Sequence, residues 1–172
     1  MMTEKLRLPS PYNAPNFLDR EDLYPLQWKT APLGDPPDVS GLPSIDHALY
    51  LFSTVKFHLA QSYRFFDEDA FVDNVREFYY GNAVNKASES PLWFVQYLLV
   101  LAFGNAFLLQ SRSSKEFPGS KFFVRAMSVM PDHSTLWKHS LMAMEVLALV
   151  GLYLYSIDHR ETALVHVSMH TP

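Results

Sequence analysis

The chain of 172 residues contains no cysteine, so it can form neither disulfides nor thiolate metal sites. It has no lysine–arginine run, and its formal net charge is −4. An acidic chain without a basic stripe lacks the electrostatic footprint of a nucleic-acid binder. Glycine is scarce, at 6 residues, and Gly104 and Gly119 stand alone rather than in a phosphate-cradling loop. No serine sits in a nucleophile-elbow context between two glycines. No period-two alternation and no Asn-Gly hairpin signal occurs, which excludes a sheet-based fold. The opening residues, "MMTEKLRLPSPY", lack the apolar run of a secretory signal, and an intracellular setting is expected.

What is present is apolar and aromatic. Hydrophobic residues make up 48% and aromatics 15%, against 19% charged. That supports one domain with a large interior rather than a disordered chain. The organisation changes near residue 40. Seven of the 12 prolines, at positions 9, 11, 15, 25, 32, 36 and 37, precede it. Each fixes φ, removes a donor and favours extended geometry in its predecessor. Residues 1–40 therefore read as an irregular proline-rich arm, with Phe17, Leu23, Tyr24 and Trp28 available to pin it to the remainder.

Residues 41–172 carry repeated helix signals. Ser44 can cap a helix over 45–63, with Ile45, Leu49, Phe52, Val55 and Leu59 on one stripe. Asp67 can cap the next, where Phe71, Val75 and Phe78 recur at helical spacing and Gly81 is placed to stop it. Ser90 and Pro91 suit the cap and first turn of a third. Ser120 opens a helix closed before Pro131, and Asp132 or Ser134 opens a long one reaching Tyr155. "DHRE", Asp158 to Glu161, resembles a capping box. The expected fold is all-α: the irregular arm, then an antiparallel helical bundle.

One stretch, "PLWFVQYLLVLAFGNAFLL" from Pro91 to Leu109, runs without a charge and would span roughly 28 Å as a helix. A membrane span and a buried core helix both fit that length. The second apolar run, "LMAMEVLALVGLYLYS", is shorter and holds Glu145, which is costly inside a bilayer, at about 2.5 kcal/mol or more. The amphipathic helices on either side also need an apolar surface to cover. The two apolar helices are therefore expected at the centre of a bundle, with no membrane partner.

Residues that could carry chemistry are few. His166 and His170 sit four apart, but Val167 stands where a zinc protease has its glutamate. His133 and His139 would not converge. The acid–histidine pairs Asp46–His47, Asp132–His133 and Asp158–His159 all fall at helix starts, where aspartate serves as a cap. The carboxylates of "DEDAFVDNVRE" read as a solvated helix start rather than a divalent-metal site. Met127, Met130, Met142 and Met144 could line a partner groove, though their spacing is that of core packing. No catalytic, cofactor-binding or metal residue is singled out, and the chain is read as non-enzymatic.

Three stretches resemble the fungal-specific transcription factor domain, the xylanolytic activator regulatory domain or middle homology region of zinc binuclear-cluster regulators. They are "LPSIDHALYLFSTVKFHLAQSYRFFDEDAF" (42–71), "SPLWFVQYLLVLAFGNAF" (90–107) and the region 119–163, ending "LYLYSIDHRETA". Residues 41–172 are so identified as a partial regulatory domain of that family. The resemblance implies an all-α domain in which 91–109 is buried, a nuclear setting and a role in regulating transcription. The implied partners are coregulator proteins or other parts of the same regulator, with a homodimer allowed. Zinc, and DNA through it, belongs to an upstream cysteine cluster that this chain lacks, so no cofactor is expected here. The family pattern continues beyond the equivalent of "RETA" through a further helix. This chain instead closes with "LVHVSMHTP", and its C-terminus is expected to be truncated.

Overall fold

The computed structural model describes residues 35–59, 67–108, 117–131 and 140–156, with Gln27, Lys29 and Leu136. Every regular element among them is a helix, as the absence of strand patterning implies. The arm's expected anchors, Phe17, Leu23, Tyr24 and Trp28, lie outside the described residues, as does the capping box at 158–161.

Among the described residues six helices follow in order: α1 (Ile45–Leu59), α2 (Glu68–Tyr80), α3 (Ala83–Glu89), α4 (Pro91–Leu108), α5 (Ser120–Ser128) and α6 (Ser140–Ser156). Ser44 caps α1, accepting the His47 N–H on its hydroxyl at 3.4 Å. The buried face of α1 is Ala48, Leu51, Phe52 and Val55, while Ile45, Leu49 and Leu59 of the expected stripe are half-buried. Asp67 caps α2 by accepting from the Asp69 and Ala70 amides, and Phe71, Val75 and Phe78 face inward as their spacing predicts. Gly81 closes it, donating its N–H to Glu77 O at 2.9 Å.

Two local details depart from expectation. The short α3 has no counterpart in the sequence reading, because of its seven residues only Ala87 is buried and no apolar stripe exists to see. Asn82 starts it by accepting the Asn85 N–H. At α5 the cap is Gly119, in the left-handed region at φ 87°, rather than Ser120, which becomes the first helical residue. The reason is steric: a Cβ on residue 119 would come within 2.1 Å of the Ala102 carbonyl oxygen. Only glycine lets the start of α5 lie this close to α4.

The helices pair in both senses. Lys56 meets Glu68, Phe52 stacks on Phe71 at 4.7 Å and Tyr79 donates to the Pro43 carbonyl, so α2 runs back along α1. In α4 and α6, Gln96 meets Glu145 and Phe103 meets Tyr153, so these two advance together. Between them α5 returns. It begins against Ala102, and Arg125 further along reaches Ser40 O at 2.7 Å and Asp38 at 3.3 Å.

The centre is α4, which packs against α1, α5 and α6, with α3 at its start. Leu92 to Gly104 are buried without interruption. By length and composition α4 could cross a membrane, but that stretch is enclosed by protein, as expected of a core helix. Ridge Cβ atoms normally hold helices apart; Gly104 removes one. A Cβ there would meet Leu51 Cβ at 2.7 Å, so α1 sits directly on the α4 backbone.

Gly104→Ala should therefore destabilise the chain by about 1–2 kcal/mol, because overpacking outweighs alanine's better helix propensity. Combined with Leu51→Ala, it should cost less than the sum of the two single changes. Denaturant unfolding of the three variants checks this, and strict additivity would refute the contact.

Candidate functional site

The Asp46–His47 pair, suggestive in sequence, is exposed at the start of α1. The His47 ring lies against Tyr50, with centroids 6.2 Å apart. Its sequence analogues at 132–133 and 158–159, together with His139, His166 and His170, lie outside the described residues. Four of the five carboxylates between 67 and 77 are separately engaged. Asp67 is the cap, Glu68 pairs with Lys56, Asp73 with Arg76 at 3.1 Å and Glu77 with Lys86 at 2.6 Å. Among the described residues no three His, Asp or Glu side chains gather as a metal site would require. Met127 is buried, Met130 and Met142 pack half-buried against the core, and Met144 is exposed, so the methionines do not share one groove.

The interior contains three polar features that sequence reading did not pair. Gln96, only 2% exposed in the middle of α4, donates its amide to Glu145 of α6 at 3.2 Å. In sequence both looked like interruptions of apolar runs; together they satisfy each other. Burial holds the Glu145 carboxyl above the usual carboxylate range, the Gln96 bond opposes that rise, and the Asp67 charge adds to it. Tyr79 gives its proton to Pro43 O, so Tyr97 donates to the Tyr79 hydroxyl, 2.8 Å away. Desolvation raises both phenols. This relay joins the segment before α1 to α2 and α4.

The third feature surrounds Trp93. Its ring lies among Phe71, Phe78 and Tyr97, with centroids 5.6–6.5 Å away. The Lys86 ammonium lies 5.7 Å from the ring centre and is held there by Glu77. A cation over an indole face is stabilising, more so where both are shielded from water. The indole Nε1 is buried without a hydrogen-bond partner among the described residues. At the other end of α4, Tyr153 stacks on Phe123 at 4.3 Å and meets Phe103 and Phe117 edge-on.

Among the described residues, none of these three features sets a nucleophile beside a base, and the polar pairs join one helix to another. Apolar side chains are exposed on several helices, among them Phe57 of α1 and Leu141 and Met144 of α6, at 72%, 68% and 59%. No known family model matches the chain, and neither a curated protein nor a solved structure does.

Glu145 predicts a pH dependence. With its folded pKa raised, the folded chain retains a proton that the unfolded chain has already released. Stability from this group therefore falls as pH rises through that window. Glu145→Gln should raise Tm at neutral pH, and its advantage should shrink below the ordinary carboxylate range. Thermal melts at the two pH values decide the matter, and a variant that melts lower at neutral pH would contradict it.

Proposed function

We propose that the chain regulates transcription as a partial regulatory domain of the fungal zinc-cluster type. It contributes helical protein-contact surface and no DNA-reading cluster of its own. The observation that carries the reading is the coincidence of the resembling segments with successive helices. Residues 42–71 hold α1 and open α2, 90–107 form α4, and 119–163 include α5 and α6. The most apolar of those segments lies in the interior, as it does in the family it resembles. On this reading the chain works in the nucleus, through coregulators or other parts of the same regulator. It is not an enzyme, and zinc and promoter binding belong to a cysteine cluster encoded upstream.

A second reading is favoured by the exposed apolar residues of α6: a helical interaction module with no promoter link. Two measurements separate them. Sequencing the native transcript through both ends should reveal a Lys/Arg-rich six-cysteine cluster upstream. The chain tethered to a heterologous DNA-binding domain should change reporter expression severalfold. A transcript without such a cluster, together with a silent reporter, would discard the transcriptional role and leave the interaction module.

A further inference from the structure

Residues 38–43 are fastened to the bundle at two places. Arg125 of α5 donates to the Ser40 carbonyl at 2.7 Å and pairs with Asp38 at 3.3 Å. Three residues on, the Pro43 carbonyl accepts from Tyr79 of α2, whose hydroxyl is in turn bonded to Tyr97 of α4. Between these points Val39 and Leu42 pack half-buried against the core. Gly41 makes the bend at φ 64°, and a Cβ there would meet nothing within 4 Å, so the chain stands clear of the helices at that point. We propose that residues 38–43 are a latched strap, which opens as a unit while the helices stay folded, with Arg125 as its latch.

The hydrogen bonding of the segment favours a separate motion. Among the described residues, no backbone N–H of 38–43 donates to a helix, and the Ser40 amide is taken by its own Asp38. What holds the strap down is two carbonyls, one ion pair and two half-buried side chains. A segment so lightly attached belongs to the low-stability end of a fold, where local opening precedes global unfolding. The centre of α4, buried without interruption from Leu92 to Gly104, lies at the opposite end. The two fastenings are also unequal. The Asp38 side chain is 61% exposed and that of Arg125 25%, so water and salt weaken this pair. The tyrosine contact is part-buried and adjoins the Ser44 cap of α1. Opening therefore starts at Asp38 and proceeds through the bend at Gly41 towards Pro43. It unties α2 from α5 and bares the apolar surface under Val39 and Leu42. The bundle thereby gains a second state, which a change at Arg125 alone would populate.

The cysteine-free chain lets a single introduced thiol report the opening. In the full chain, Leu42→Cys should react with an aromatic disulfide reagent about tenfold more slowly than Tyr80→Cys, at a position 79% exposed. It should react about tenfold faster than Val100→Cys, at a core position 1% exposed that only global unfolding uncovers. Adding Arg125→Gln should speed the reaction at 42 severalfold, and about 0.5 M salt should act in the same direction. Gly104→Ala, which strains the contact of α1 with α4, should speed the reaction at 100 and leave that at 42 unchanged. Asp38→Asn reads the same latch if circular dichroism shows that Arg125→Gln does not fold. A thiol at 42 that reacts no faster than one at 100, or is speeded equally by Gly104→Ala, overturns the proposal, since the segment then opens only with the whole bundle. A rate at 42 equal to that at 80 overturns it by showing a strap that is never closed. A rate untouched by both latch variants removes Arg125 from the role. None of these outcomes depends on whether the chain regulates transcription.

Discussion

From Leu92 to Gly104, α4 has no side suited to water, and the other helices are arranged to keep water away from it. Each large apolar side chain taken fully out of solvent contributes about 1.5–3 kcal/mol. An interior helix lined with such side chains on every face therefore supplies much of the drive to fold. It also imposes a condition. A helix apolar on every side must be covered on every side, and α1, α5 and α6 supply that cover along its length. The amphipathic α1 and α5 are legible as partners because each turns one apolar face inward and leaves the other polar.

Apolar attraction has no direction, so something else must decide how far along α4 each neighbour sits. Two kinds of contact do this. Glycine permits backbone approach at Gly104 under Leu51 and at Gly119 against Ala102, which fixes where α1 and α5 touch. The Gln96–Glu145 bond fixes α6, since sliding by one turn would leave a buried amide unpaired. The aromatic clusters around Trp93 and Tyr153 then fill the two ends, with pair geometries worth about 0.5–1.5 kcal/mol each beyond simple burial.

The elements that could be recognised in sequence are those whose cause is local. Ser44, Asp67, Gly81 and Pro91 act within one turn of chain, and all four stand where their chemistry suggests. The α2 face of Phe71, Val75 and Phe78 was legible for the same reason. Where the cause lies elsewhere in the fold, sequence reading loses it. Gly119 takes the cap from Ser120 because α4 passes beneath it. The face of α1 is turned so that Ala48 and Leu51 go inside ahead of Ile45 and Leu49, since Leu51 is the residue that Gly104 admits. Helix α3 had no stripe to reveal it. Gln96 and Glu145 are 49 residues apart and looked like two separate defects. At 46–47 the cap is Ser44, and Asp46 lies one residue inside the helix in its first turn.

The segment just ahead of α1 is moored twice. Arg125 of α5 holds Asp38 and the Ser40 carbonyl, and the tyrosine relay holds the Pro43 carbonyl. Mechanically this makes residues 38–43 a cleat rather than a leash. Tension applied to the chain before Asp35 would load α5 through the Arg125 guanidinium first, then α2 and α4 through the phenols. Helix α1 would feel the pull last. Whatever is attached on that side therefore pulls on the body of the bundle, and the first turn of α1 is spared from being peeled away residue by residue.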